Sequence, residues 1–578
     1  MKSTKPTLTL LAALCLVATN AWAQSDRPYA SVTDARLLKQ EPQNWLTYHG
    51  NYAGWNYSPL SKINAGNVGK LNLAWAFATG QIEGHQSAPL INNGYMFMTT
   101  PQSQVIALDA KTGTEIWRYK KELPPDQLML HPTSRGAALY GDKLYLATQD
   151  CMVVALDAKT GKVLWTTPTD NWKNGYYHTL APLAVKGKII VGSSGGELGI
   201  RGYVAALDAE SGKLLWKTYT IPAPGEPGSE TWPTSDAWKT GGGSVWQQGT
   251  YDPETNTVFY GVGNAGPWTP DQRKGDNLYT ASTLALNVDT GKIKGYFQYT
   301  QNDSWDWDEI VAPLLMDIDY KGKKIKAAVH AARNGYMYIL DRAAGKLAFV
   351  DAFPFVYQDV FTSIDKKTGR ATVNDAKKPS MKNKSGTDYC PSLWGGHNWP
   401  PEAFNPNTGI YYVPANDHIC SHVPPNEQPV YKPGDLFIGL PLPELLANIR
   451  VPKPGEGLGE VQAWDMKTGK LSWKHKYQSF QWGPLMTTAG NLVFGGGTND
   501  RMFRAFDARN GKLLWETPTP SGVNGSPVTY EVDGEQYVAV QSGWGIDAER
   551  MQGSFNTVMK TNVKVPQGGN LMVYKVKP

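Results

Sequence analysis

The sequence predicts an all-β fold, an eight-bladed β-propeller, and three observations carry that expectation. A short phrase, Ala107-Leu-Asp-Ala-Lys-Thr-Gly-Thr-Glu-Ile-Trp117, returns at Ala155 to Trp165, Ala206 to Trp216, Ala463 to Trp473 and Ala505 to Trp515. Degraded copies run from Ala285 to Gly291 and from Ile339 to Lys346. Eight β-rich segments, each with a turn signal beside it, begin near Asn92, Gly141, Lys186, Thr255, Lys324, Asn407, Gly490 and Gly534. The composition agrees: 21 Trp, 29 Tyr, 59 Gly and 40 Pro in 578 residues suit many short strands joined by tight turns, and long helical patterns are scarce.

The Asp-x-x-(Thr/Ser/Asn)-Gly core of the phrase is a hairpin turn, because Asp hydrogen-bonds locally and Gly accepts a positive φ. The Trp closing five copies is a large apolar plug suited to packing between neighbouring sheets. A sheet unit repeated at this period implies a propeller or a solenoid, and radial closure removes the edges that eight separate sheets would expose. Between the segments the spacing widens from about 45–50 to about 70–80 residues in the middle of the chain, against ~40–50 for a blade, so the additions are loops on one face. The largest, Ser421 to Glu460, is rich in Pro and Gly, with a short helix pattern at Pro443–Ile449. It reads equally as a surface excursion and as a lid or docking surface.

Residues 1–23 read as a secretory signal peptide: Lys2 and Lys5, an apolar stretch from Leu8 to Val17, and the small-residue site Ala21-Trp22-Ala23. The stretch is too short for a stable membrane span. Leu14 before Cys15 is too bulky for a lipoprotein signal. The expected mature chain, 24–578, is one exported, periplasmic domain with no membrane span. Removing Lys2 and Lys5 lowers the net charge from +5 to +3, and no basic run implies nucleic acid. Cys151, Cys390 and Cys420 remain, which permits one disulfide and leaves one thiol.

Unusual polar residues cluster just after the β segments. The third ends in Gly192-Ser-Ser-Gly-Gly-Glu-Leu-Gly-Ile-Arg-Gly202 and the fourth in Gly261-Val-Gly-Asn-Ala-Gly-Pro-Trp268. The fifth ends in Ala331-Ala-Arg333-Asn-Gly335, the sixth in Ala415-Asn-Asp-His-Ile-Cys420. Pseudo-rotational symmetry should bring Glu197, Asn264 and Arg333 together at one end of a central channel. In Asn302-Asp-Ser-Trp-Asp306-Trp-Asp308-Glu, an extended run would point Asp306 and Asp308 to the same side. Two carboxylates, a Glu and an Asn amide suit a hard cation rather than zinc, although acids also decorate loops with no ion. The runs Trp238-Lys-Thr-Gly-Gly-Gly-Ser244-Val-Trp246 and Cys390-Pro-Ser-Leu-Trp-Gly-Gly-His-Asn398-Trp-Pro-Pro401 set indoles beside a backbone that a ligand can approach closely.

Taken in order, these motifs resemble the PQQ-dependent (pyrroloquinoline quinone) alcohol dehydrogenase family, which includes methanol, ethanol and tetrahydrofurfuryl alcohol dehydrogenases. The resemblance runs from Trp45 to the C-terminus. It implies that Glu197, Asn264 and Asp306 are metal ligands, that Asp306 is also the catalytic carboxylate, and that Trp246 is the floor under a planar quinone. Gln86, Arg135, Thr179, Ser194, Gly195, Gly196, Ser244, Arg333 and Asn398 match positions that bind the cofactor, and Trp482 a further one near its ring. Cys390 and Cys420 correspond to a disulfide, preferred here over a zinc site at His418-Ile-Cys-Ser-His422, and Cys151 reads as an inert core thiol inside a strand pattern.

The implied reaction is oxidation of an alcohol. Asp306 takes the hydroxyl proton while hydride passes to a quinone polarised by the metal, and Arg333 hydrogen-bonds the oxygen that gains charge. No Cys-x-x-Cys-His is present, so the implied electron acceptor is a separate cytochrome c or similar partner. Oligomeric state, a homodimer included, stays open. Three departures matter. Met129 and Leu130 stand where many members carry vicinal cysteines, and Gln86 where Glu is common. Asp308 matches the additional acid of lanthanide-using members, which leaves calcium and a lanthanide as the two candidate metals. A non-catalytic envelope scaffold shares the repeat and is the main rival, since fold alone never settles function. A nicotinamide enzyme is a weaker rival, since the Gly-rich Gly192–Gly202 segment lacks the Gly-x-Gly-x-x-Gly order and the βαβ setting.

Overall fold

The computed structural model describes residues 28–441, 449–453 and 458–577. The expected signal peptide and Cys15 lie outside the described residues. So does the helix pattern at 443–449 apart from Ile449, which belongs to a strand, Ile449–Arg450.

The chain is mostly β, and its described strands include eight sheets built on four-stranded antiparallel meanders, seven of four strands and one of five. The first comprises Leu90–Asn92, Tyr95–Thr100, Gln104–Asp109 and Glu115–Lys120. The next six occupy 138–168, 183–219, 250–298, 314–354, 403–476 and 485–518. The eighth joins both ends of the chain: Leu71–Ala78 pairs with Asn570–Val576 beside Glu535–Ser542 and Val528–Val532. All eight starting points expected from sequence fall in or beside the hairpin between the first two strands of a sheet. Tyr57–Ser58 adds a parallel strand to the seventh sheet, and two small sheets decorate the loops.

The repeated phrase is the joint between sheets. Asp109 Oδ1 accepts from the backbone N–H groups of Lys111 and Thr112, both at 2.9 Å, and turns the chain into Gly113 at φ +75°. The indole of one sheet lies against the turn glycine of the next: Trp75 against Gly113, Trp117 against Gly161, Trp165 against Gly212, Trp216 against Gly291 and Trp473 against Gly511. A Cβ on Gly161 would stand 2.5 Å from Trp117, so only glycine fits there. Trp117 Nε1 also donates to Ala158 O at 3.0 Å. Trp117→Ala therefore removes a plug that is 4 % exposed and should destabilise the protein by about 3–5 kcal/mol. A lower denaturation midpoint in urea checks this; an unchanged midpoint would remove the joint from the stability account.

Such contacts link each sheet to its successor. Tyr145 OH donates to Ala209 O (2.9 Å), Trp216 Nε1 to Val288 O (3.1 Å), and Arg342 pairs with Asp252 (2.8 Å). Lys321 N donates to Lys467 O (2.9 Å), Trp473 Nε1 to Ala508 O (3.0 Å), and Trp515 Nε1 to Leu71 O (3.3 Å). Tyr530 OH donates to Ala110 O at 2.7 Å, which ties the eighth sheet to the first. Inner strands such as Tyr203–Asp208 are buried along nearly their whole length, while outer strands such as Lys470–Lys476 are largely exposed.

One local expectation is corrected. Cys151 is not within a strand; it occupies the turn before Met152–Asp157 at φ +64°. It is buried and not disulfide-bonded, and burial pushes its thiol up to about 11, which disfavours the reactive thiolate. Long helix is scarce among the described residues, as the sequence suggests. Gly545–Met559 forms a 15-residue helix inserted between the last two strands of the eighth sheet. Cys390 and Cys420 form a disulfide.

The hairpin geometry fixes where a site can lie. The first two strands of each sheet are antiparallel, so the entry to the first adjoins the exit from the second, as Leu183 pairs with Ile190. Residues placed just before first strands or just after second strands therefore collect at one end of the molecule.

Candidate functional site

Glu197, Asn264 and Arg333 follow the second strands Lys188–Gly192, Thr257–Val262 and Lys323–Ala331. Arg135, Trp246, Asn398 and Trp482 precede the first strands Ala138–Tyr140, Thr250–Asp252, Ala403–Asn405 and Leu485–Thr488. Asp306 and Asp308 come from the link between the fourth and fifth sheets. The fold brings all nine to one place. One cavity is lined by Arg135, Glu197, Trp246, Asp306, Asp308, Arg333, Asn398 and Trp482, and Thr179, Ser194 and Gly195 line its inner recess. Asn264 lies directly behind, against Asp308.

The run from Asn302 to Glu309 is not extended, contrary to the sequence expectation. Asp303 accepts the backbone N–H groups of Trp305 and Trp307, each at 3.1 Å, and knots the chain. The two indoles stack 5.0 Å apart and are anchored by their N–H groups on Lys377 O and Ser392 O. Asp306 is left at φ +62°, in the left-handed region that Asp tolerates better than most residues. Asp306 and Asp308 face the same cavity because of this knot, not because of strand alternation.

Glu197, Asp306 and Asp308 each place a carboxylate oxygen within 4.8 Å of the others. Three like charges in a desolvated recess are unfavourable on their own. Burial, and then the Asp308 charge, push Glu197 up to about 7 and hold Asp306 well above the usual carboxylate range. Asn264 lies against this cluster, its backbone N–H on Asp308. In one amide orientation its oxygen faces Asp308; in the other its NH2 donates to Asp308 Oδ1 at 3.0 Å and its oxygen accepts from Trp268 Nε1 at 2.5 Å. The second orientation satisfies both amide groups; only the first would leave the oxygen free for a cation. The donor set, all hard oxygens with excess negative charge, fits calcium or a lanthanide and not a soft metal.

An aromatic shelf adjoins the acids. Trp246 Nε1 donates to Asp308 Oδ2 at 3.0 Å, which fixes the ring's tilt. The Arg135 guanidinium stands 4.4 Å from the Trp246 ring centroid and that of Arg333 6.0 Å. Arg135 donates to Thr179 Oγ1 (2.6 Å), which meets Ser194 Oγ at 3.0 Å, while its buried Nε has no partner. Burial lowers Arg135 to about 10, still cationic at neutral pH. Arg333 donates to Asp306 O (3.0 Å) and Asn398 Oδ1 (3.1 Å), and its Nε is likewise unpartnered. Two buried cations with unused donors beside a flat ring fit a planar polyanion such as PQQ.

Other assigned positions are less direct. Gly196 and Ser244 lie behind the cavity surface: a Cβ on Gly196 would meet Ser244 Oγ at 3.1 Å and Asn264 Oδ1 at 3.2 Å. Gln86 is buried with its Oε1 unpartnered, but it lines neither the cavity nor the recess. Trp238 packs under Arg201 in a separate cluster, so only Trp246 of that glycine run serves the site. The His418 and His422 rings pair with Asp417 and Asp388.

Much of the wall escaped sequence reasoning. Leu436 and Ile438 of the 421–460 insert line the cavity, and Phe437 N donates to Glu197 O at 2.7 Å, so this part of the insert is a fixed wall of the site. Leu130, Trp268, Leu393, Trp394 and Trp399 supply further apolar surface. The helix Gly545–Met559 adds Asp547, Arg550, Met551 and Ser554. Its buried Ala548, Met551 and Phe555 recur at helical spacing, a legible signal that the surrounding β repeats masked. Asp547 receives His131 Nδ1 at 2.7 Å. Burial pulls His131 down, but Asp547 outweighs it and raises the imidazole overall, while burial pushes Asp547 up but His131 outweighs it and holds the carboxyl below its ordinary value.

The comparisons agree with this geometry. Residues 45–351 and 475–538 match the family model "PQQ: Glucose/ethanol/alcohol dehydrogenase, beta-propeller domain". Quinoprotein alcohol dehydrogenase PedH of Pseudomonas putida is 40% identical, over 95% of this chain and 94% of its own length. The lanthanide-dependent methanol dehydrogenase of Methylorubrum extorquens is 36% identical over 86% of each chain. Among solved structures, a europium-containing methanol dehydrogenase superposes with a TM-score of 0.86 at 33% identity, covering 94% of this chain and 99% of that one. The cavity of carboxylates, arginines and Trp246 thus sits in a β-propeller chain that belongs to the PQQ-dependent quinoprotein alcohol dehydrogenase family.

Proposed function

We propose that this protein oxidises an alcohol to an aldehyde or ketone with bound PQQ and one calcium or lanthanide ion. In this reading the eight sheets close into an eight-bladed ring, the mature chain works in the periplasm, and electrons leave to a separate cytochrome c. The sheet-to-sheet contacts around the whole chain support the ring. The observation that carries the activity is the meeting of Glu197, Asp306 and Asp308 within 4.8 Å beside Trp246 and two buried arginines.

Glu197, Asn264, Asp306 and Asp308 would hold the cation. Arg135, Thr179, Ser194, Gly195, Arg333 and Asn398 would hold the polar rim of the cofactor, with Trp246 beneath its plane. When bound, PQQ supplies an electrophilic carbon that accepts hydride, and the cation sharpens that electrophilicity by polarising the adjacent carbonyl. Asp306 receives the alcohol proton on its carboxylate. Burial and neighbouring acids hold that carboxyl well above the usual carboxylate range, and positive charge among the ligands would lower it towards a working base. Arg333 offers N–H donors where negative charge develops. The apolar wall of Leu130, Leu393, Leu436 and Ile438 keeps water from the reacting atoms.

No helix among the described residues is long and apolar enough to cross a membrane. Reconstitution with PQQ and either calcium or lanthanum, followed by an alcohol screen with an artificial electron acceptor, tests the proposal. Alcohol-dependent dye reduction is expected with at least one metal. Silence across the panel with both metals would favour a non-catalytic scaffold.

A further inference from the structure

The cavity is lined by the three acids with Arg135 and Arg333 and, from the helix Gly545–Met559 and the 131 loop, by His131, Asp547 and Arg550; His131 also lines the inner recess beside Glu197. Leu130, Leu393, Leu436, Ile438 and Met551 form an apolar belt in the same wall. Asp547 is matched by His131, whose Nδ1 lies 2.7 Å from both of its oxygens. Arg550 approaches Asp547 only at 3.9 Å, beyond hydrogen-bond reach, and its side chain is 36 % exposed in the cavity wall. The Arg550 guanidinium thus faces the cavity without a hydrogen bond to Asp547. Arg135 and Arg333 donate to Thr179, Asp306 and Asn398 and belong to the proposed cofactor site.

A guanidinium with open donors pairs bidentately with a carboxylate, and the apolar belt accommodates a hydrocarbon or aryl spacer. We propose that Arg550 is a specificity determinant that favours alcohols carrying a carboxylate at the end remote from the hydroxyl. This rests on the alcohol-oxidising reading of the same cavity. The carboxylate end is drawn to Arg550 and away from the acids, which directs the hydroxyl end towards Asp306. Arg550 acts on binding and orientation, not on proton or hydride transfer.

The test compares 4-(hydroxymethyl)benzoate with benzyl alcohol on the reconstituted holoenzyme, in the wild type and in Arg550→Met and Arg550→Glu. The ratio of kcat/KM for the acid over the neutral alcohol should fall about tenfold or more in Arg550→Met, mainly through KM, and further in Arg550→Glu. In calorimetry, 4-methylbenzoate, which has no hydroxyl to oxidise, should bind the wild type and lose about tenfold or more in affinity in Arg550→Met. Equal ratios, or equal binding of 4-methylbenzoate by wild type and variant, would overturn the assignment. Failure to oxidise either alcohol would instead strike the parent reading, and the calorimetric comparison would still decide the role of Arg550.

Discussion

Asp306→Asn should cut turnover by about 10²–10⁴-fold, the usual contribution of a general base, while the protein stays folded. The two parts of that expectation have separate causes. The Asp306 carboxylate accepts no hydrogen bond from the described residues; it is the backbone oxygen of Asp306 that receives Arg333, at 3.0 Å. The substitution therefore removes no packing or hydrogen bond, and it relieves repulsion from Asp308 and Glu197. Thermal stability should be equal or higher. An amide, however, cannot take up the alcohol proton at neutral pH. Single-turnover kinetics on loaded protein separate this loss from a loss of cofactor, which the absorbance of bound PQQ reports. Full turnover in the variant would exclude Asp306 as the base.

Asp308→Ala should have a different signature, because this carboxylate has three jobs. It contributes charge to the ligand cluster, accepts Asn264 N at 2.5 Å and accepts Trp246 Nε1 at 3.0 Å. A trivalent ion gains more than a divalent one from each ligand charge. Activity supported by lanthanum should fall by about tenfold or more relative to activity supported by calcium, since losing a charged hydrogen-bonding group typically costs about 1.5–3 kcal/mol. Asp308→Asn keeps an acceptor for the indole and separates the charge effect from the tilt of Trp246. Parallel loss with both metals would mean that Asp308 serves the shelf and not the choice of ion.

Much of this site was legible before any coordinates. The repeat marked the joints between sheets, and its interruptions marked the ends at which Glu197, Asn264 and Arg333 emerge. Placement at one end follows from strand pairing, so it needed only the correct strand count. What sequence concealed depended on contacts between distant segments. The knot tied by Asp303 makes the Asp306–Asp308 run irregular, and nothing local announces that its carboxylate will cap two backbone N–H groups. His131 and Asp547 are separated by 416 positions and meet only because a helix interrupts the eighth sheet. The 421–460 insert read equally as surface or lid until Phe437 was found bonded to Glu197 O. Gln86 shows the opposite case: a motif position that matches a binding role yet lies off the cavity surface.

The central claim is that separate sheets deliver their acids to a single cation beside Trp246. Anomalous diffraction from crystals grown with PQQ and a lanthanide tests it most directly. The account predicts one strong peak within coordination distance of Glu197, Asp306 and Asp308, with the quinone plane against Trp246. A peak elsewhere, or none at these carboxylates while PQQ is bound, would contradict it.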